Sequence, residues 1–293
     1  MTRLSVLNAS DMPAARRVWE ACFPDDESAF IDYYFQKRTR PEWILGAFSG
    51  EKLIGTVHML PHTVTFFGVE KSVGFVAGVA TLPEERGRGV AGNMLNASFE
   101  IMRERGFSAT MLKPFSQGLA RYYEGFGYKP FAHVDVYELT LNGLSGVAPA
   151  QTHAPGAGEL LKIYNAFAAG LSGMRVRAQK EMELLLEELT TYESALLCDG
   201  ISYAACDIGG GGAHAFELAG ENPLPLLRAL CEKYGRVRTH MRAGQTLVPR
   251  KSFTREVFNM LKVLDDRAFA AGLPKSVETL FARDAAVFSL EMY

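Results

Sequence analysis

A β-like run ending in Val79-Ala80-Thr81-Leu82-Pro83 passes through Glu84-Glu85 into Arg86-Gly87-Arg88-Gly89, and a helical apolar period begins at Val90. This order restricts the chain to folds in which a strand end meets a helix N-terminus across a tight basic turn. Gly87 and Gly89 let the backbone approach a ligand without a Cβ in the way. The successive N–H groups from Gly87 through Val90 to Ala91 lie at the positive end of the helix, where phosphate oxygens are stabilised. Arg86 and Arg88 add two guanidinium groups. No Gly-Lys-Ser/Thr follows, so the turn is not a P-loop. The strand before it belongs to a meander rather than a βαβ unit, which separates it from the dinucleotide fingerprint.

The 293 residues suggest two domains, or one with a large extension. A net charge of −2 gives no reason to expect a nucleic-acid or membrane partner. Asp11, Arg16 and Arg17 interrupt the early apolar residues, so no signal peptide is expected. No apolar run reaches the length of a membrane span. The four cysteines (Cys22, Cys198, Cys206 and Cys231) are scattered without a Cys-x-x-Cys pair. That usage suits a cytoplasmic chain and predicts neither a disulfide framework nor a bound metal.

The expected elements begin with a strand from Thr2 to Leu7 and a helix burying Ala15, Val18 and Trp19. A second helix, about 26–36, carries Phe30, Tyr33, Tyr34 and Phe35. Strands at Trp43–Phe48, Leu53–Leu60, Thr63–Phe67 and Lys71–Thr81 form a meander punctuated by Pro61 and Gly68. After the helix that starts at Val90 come a strand (Ser108–Lys113), a helix holding Leu119, Tyr122 and Tyr123, and a long alternating strand, Lys129–Leu141. Asp135 and Glu138 read as the solvent face of that strand. Residues 142–158 are rich in Gly, Ala, Pro and Ser and read as a linker. Beyond it the element order partly repeats. Gly209 to Gly212 has no basic neighbour and reads as a hairpin turn, and Arg236, Arg238, Arg242 and Arg250 read as a solvated face.

The run Arg86-x-x-Gly89-x-Ala91 at a strand–helix junction, followed at the right distance by Tyr123-Glu124-Gly125-Phe126-Gly127-Tyr128, resembles the GNAT acyltransferase superfamily. Gly55-Thr56-Val57-His58-Met59-Leu60-Pro61, Val76 to Pro83 and Leu160 to Asn165 are similar to the enhanced intracellular survival (Eis) acetyltransferase family. The resemblance implies an α/β (α+β) fold with a mostly antiparallel mixed sheet, followed by a second, degenerate GNAT-like domain. The domains expected are a catalytic one over 1–141, the linker 142–158, a second domain over 159–252 without the cofactor motif, and a shortened C-terminal extension over 253–293.

What the resemblance implies chemically is acetyl-CoA as co-substrate and transfer of its acetyl group to a primary amine of a small molecule or peptide. Val79 and Thr81 would align the pantetheine as an added strand. Arg86, Gly87, Arg88, Gly89, Val90 and Ala91 would hold the pyrophosphate, and Ser116 is similar to a cofactor-contacting serine. Tyr123 is the expected general acid for the leaving thiolate. The C-terminal carboxylate of Tyr293, His58, His62 or a water is the expected base. A homo-oligomer fits the family. The competing expectation is an acyl-CoA-binding regulator that kept the fold without the activity.

Overall fold

Residues 52–81 form a long β-hairpin in the computed structural model, which describes residues 2–191, 194–245, 247–248 and 252–282. Among these, residues 2–131 and 259–282 form one compact unit and 132–258 another.

The first unit contains β1 (Thr2–Val6), α1 (Met12–Cys22), α2 (Ser28–Tyr33), β2 (Ile44–Ser49), β3 (Lys52–Phe66), β4 (Val69–Thr81), α3 (Val90–Glu104), β5 (Ala109–Leu112) and α4 (Gln117–Glu124). α2 continues as a wide π-helical turn, Tyr34–Arg38. The chain then enters the second unit along β6 (Lys129–Thr140). There it forms α5 (Ala157–Ala168), β7 (Met174–Arg175), α6 (Gln179–Thr191), β8 (Ser194–Cys198), β9 (Ser202–Gly209), β10 (Gly212–Gly220), α7 (Leu224–Tyr234) and β11 (Arg236–Arg242). It returns along β12 (Thr254–Val263) to α8 (Asp266–Ala270).

In the first unit the strand order is β1-β2-β3-β4-β5-β12, antiparallel except for the parallel pair β4–β5 that α3 connects. β3 runs straight through Pro61, where the sequence suggested a break. Its pairing with β2 ends at Ile44–His58, so the missing proline N–H costs no bond to β2. α1 packs Ala15 and Val18 against Leu7, Ile44, Phe48 and Ala80. Residues 259–282 belong to this unit. Met260 to Val263 pair with β5, and Lys71 Nζ donates to the Ala268 carbonyl of α8 at 3.0 Å.

The second unit has the order β6-β11-β10-β9-β8, and its parallel pair, β10–β11, is again joined by a helix, α7. Gly210 and Gly211, both at positive φ, make the β9–β10 hairpin turn expected for the glycine run. Arg177 is paired to Glu217 through two hydrogen bonds (2.7 and 2.9 Å), and Tyr203 donates to the same carboxylate. Asp135 corrects the expectation of a solvent-facing strand residue. It is buried, and Arg255 grips both carboxylate oxygens at 2.7 and 2.8 Å while the Gly244 N–H donates at 2.9 Å. Burial opposes ionisation there, yet the guanidinium and the N–H hold the carboxyl below its usual range. Glu138, three residues on and so on the other face of the strand, is exposed and lies 3.6 Å from Arg238. Among the described residues, no helix is long and apolar enough to cross a membrane.

Candidate active site

The β3–β4 ladder steps from Thr56–Ala80 to His58–Ala77, so β4 spends one more residue than β3. The extra residue makes a bulge at Gly78 and Val79. Gly78 has φ +52, and a Cβ there would lie 2.4 Å from the Trp19 ring and 3.0 Å from His58. Only glycine fits both the conformation and the space. A bulge turns peptide groups out of the ladder. Close by, β4 also loses β5: their parallel register covers only Val73–Ala109 to Phe75–Met111, whereas β4 continues to Thr81. The bulged end of β4 therefore has a side on which β5 does not pair.

From Thr81 the chain passes through a 3-10 turn, Pro83–Glu85, into the basic turn. Gly87 (φ +78) and Gly89 (φ +74) are left-handed, and nothing lies within 4 Å of a Cβ built on either. Their glycine requirement is thus conformational. Gly89 is the N-cap of α3 and brings no side chain to cap it. The first-turn N–H groups, including those of Val90 and Ala91, have no acceptor within the helix. Arg86 is tied back to the end of β4, its Nε donating to the Thr81 carbonyl at 3.1 Å. Arg88 is exposed and paired with Glu85 at 2.7 Å. Val79 is half-buried, and the buried Thr81 hydroxyl makes no hydrogen bond among the described residues.

α4 and the residues just after it reach the first turn of α3. A Cβ on Gly92, in the first turn of α3, would lie 3.2 Å from the Phe126 ring and 4.0 Å from the Tyr122 hydroxyl. Tyr123 is buried and packs edge-on against Tyr128. The Tyr128 hydroxyl meets the Thr110 hydroxyl at 3.0 Å, and Thr110 donates to the Gly74 carbonyl of β4 at 2.8 Å. Burial, with Tyr122 adding to it, pushes the Tyr123 phenol up to about 12. Tyr122 is more exposed, and burial raises its phenol as well. Ser116 is the N-cap of α4, its Oγ accepting from the Leu119 N–H at 3.2 Å.

Two contacts had no local signal in the sequence. Lys262, on β12, donates to the Phe126 carbonyl at 2.8 Å and holds the turn after α4. Its partner lies far away in the chain. Gly78 sits in a strand-like run, and only the ladder register reveals the bulge.

Neither His58 nor His62 is an accessible base. His58 is fully buried among Trp19, Tyr34 and Phe35, with Nδ1 3.0 Å from the Tyr34 hydroxyl. Burial pushes its imidazole down to about 3. His62 is buried and stacked on Phe75. The aromatic residues of 26–36 divide: Tyr33 and Tyr34 are buried, and Trp19 Nε1 donates to Asp26 at 2.7 Å beside Phe23 and Phe30. Tyr293, with Val287, Phe288, Leu290 and Arg250, lies outside the described residues.

His58 gives a pH-dependent signature. The folded chain leaves it neutral down to about pH 3, whereas the unfolded chain protonates it near 6.5. The unfolded state binds the extra proton in that window, so stability falls as pH drops from about 6.5 toward 3. The slope from this group is about 1.4 kcal/mol per pH unit at its steepest. Urea unfolding of the His58→Gln chain is expected to lose this part of the acid slope. An unchanged slope would assign it to other groups.

The strand end beyond the bulge, the glycine turn at a bare helix N-terminus and the buried Tyr123 all lie in the first unit. Residues 3–131 match the family model of the acetyltransferase (GNAT) domain, so the N-terminal part of the chain carries that domain. The fold is similar to that of a GCN5-related N-acetyltransferase from Kribbella flavida (19% identity, TM-score 0.71), covering 92% of this chain and 73% of that one. It is also similar to a probable N-acyltransferase from Enterococcus faecalis (17%, TM-score 0.75, 92% and 74%). A third similar structure is Eis1 from Mycobacterium abscessus (15%, TM-score 0.68, 92% and 75%). No curated protein sequence matches the chain significantly.

Proposed function

We propose that the chain is an acetyl-CoA-dependent N-acetyltransferase acting on a primary amine of a small molecule or peptide. The observation that carries this reading is the bulged end of β4 leading into the Arg86–Ala91 turn, with Tyr122 and Phe126 beside the first turn of α3. The pantetheine would pair with β4 near Val79 and Thr81, and the pyrophosphate would sit on the N–H groups from Gly87 to Ala91. Arg86 is already oriented by Thr81, and Arg88 would exchange Glu85 for phosphate. Ser116, at the start of α4, is the proposed further cofactor contact.

In this reading a neutral amine attacks the thioester carbonyl. The N–C bond forms, the C–S bond breaks, and an N–H turned out at the bulge stabilises the oxyanion. Tyr123 delivers its proton to the leaving sulfur, the ammonium proton passes to water or to the Tyr293 carboxylate, and Tyr123 regains a proton from solvent. The catalytic reading belongs to residues 1–141. Residues 159–252 are the proposed second GNAT-like domain: where α3 follows a glycine turn, α7 begins at Pro223-Leu224-Pro225. The prolines lack the N–H groups a phosphate nest requires.

The test is a pair of measurements on the full chain: acetyl-CoA binding by calorimetry, and CoA release with a panel of primary amines. Binding with amine-dependent CoA release is the expected result. Binding without release from any amine would favour the regulator, and absence of binding would end both readings.

A further inference from the structure

Three donors of different chemistry converge within the second unit, far from the Arg86–Ala91 turn in sequence. His153 lies in the Gly/Pro-rich stretch before α5, Glu159 in the first turn of α5, and Cys198 at the end of β8. One nitrogen, one carboxylate oxygen and one sulfur from these residues all lie within 4.8 Å of one another. His153 Nε2 is 2.8 Å from Glu159 Oε1, and Cys198 Sγ is 3.8 Å from that same oxygen. The backbone restrains two of the three, because the His153 N–H donates to the Cys198 carbonyl at 3.0 Å in an isolated β-bridge.

We propose that His153, Glu159 and Cys198 form a binding site for one zinc-type divalent cation. An imidazole and a thiol both facing one carboxylate oxygen is an arrangement that one cation can replace. On binding, the Cys198 S–H bond breaks, its proton leaves to solvent, and the sulfur ligates the metal as thiolate. Thiolate and carboxylate then balance the dication, and the imidazole binds as a neutral ligand. Sulfur, nitrogen and oxygen together are the donor set of zinc rather than of magnesium or calcium. Ideal metal–ligand lengths put tetrahedral neighbours about 3.3–3.7 Å apart, so small side-chain rotations suffice. His153 is half-exposed and leaves a path for entry and for a water as fourth ligand. An exposed His–Glu ion pair alone contributes little and does not account for a buried thiol directed at the same oxygen. The ion would fasten the stretch carrying His153 to α5 and β8.

The full chain, stripped of metal and kept reduced, is titrated with Co²⁺ and then Zn²⁺. The expected result is a thiolate-to-cobalt charge-transfer band that saturates at one ion per chain, is abolished by Zn²⁺, and accompanies a rise in Tm. Cys198→Ser removes the band. His153→Ala, at a surface position that leaves the fold intact by circular dichroism, weakens Co²⁺ binding at least about tenfold, since even an outer-shell partner contributes about 10–100-fold. No band, or a band unchanged in His153→Ala, overturns the proposal.

Discussion

Tyr123→Phe is expected to slow acetyl transfer by about 10²–10⁴-fold, the usual contribution of a positioned general acid. Burial pushes the phenol up to about 12, so it is protonated throughout the neutral range and, in the proposed reaction, would act as a donor. A thiol leaving group has a pKa near 8.5. Full transfer to a thiolate is therefore uphill, and the benefit comes while negative charge builds on sulfur as the C–S bond breaks. Removing the hydroxyl should lower kcat and leave acetyl-CoA affinity close to that of the parent. Its packing partners, Tyr122 and Tyr128, contact the ring, which phenylalanine keeps. Tyr122→Phe is the control: Tyr122 is more exposed and should transfer acetyl at nearly the parent rate. Free-CoA release measures both variants, and undiminished turnover by Tyr123→Phe would remove the tyrosine from the mechanism.

Gly78→Ala should destabilise the chain by about 2–4 kcal/mol and weaken acetyl-CoA binding as well. Two effects add. An alanine must adopt φ +52, and its methyl must displace the Trp19 ring from 2.4 Å. Trp19 is held by Asp26 and packed against His58 and Tyr34, so it has little room to yield. Relief would come by straightening the bulge, which returns the turned-out peptide groups of β4 to the ladder. Gly50→Ala separates the two causes. Gly50 has φ +60, but nothing lies within 4 Å of its Cβ, so it carries only the conformational cost of about 1 kcal/mol. Chemical denaturation and calorimetric titration measure the two quantities. Equal losses for the two variants would show that the Trp19 contact does not matter.

Most elements were legible because their signals are local. The turn from Arg86 to Gly89 announces a helix start and the alternation in 129–141 a strand; both stand in the structure. The Gly209–Gly212 turn was equally plain. Features that depend on pairing were not. Pro61 looked like a break because a proline's tolerance depends on which neighbouring strand it faces. Asp135 looked exposed because alternation alone cannot reveal Arg255, whose side chain arrives from a strand far along the sequence. His58 looked available as a base until the aromatic residues of α1 and the segment after α2 closed around it.

By itself the sequence marked a turn suited to an anionic ligand: closely spaced arginines and glycines just before a helix set guanidinium groups beside the free N–H groups of its first turn. It also marked Tyr123 through the run that follows it. The tertiary structure alone decided how those parts meet. The β3–β4 register places the bulge at Gly78, the short β4–β5 pairing leaves the end of β4 without β5 beside it, and packing at Gly92 brings Tyr122 and Phe126 to the first turn of α3. These are non-local pairings, set by which strand lies beside which. The same holds for His153, Glu159 and Cys198, whose spacing along the chain matches no metal motif but whose donor atoms share one point in the fold.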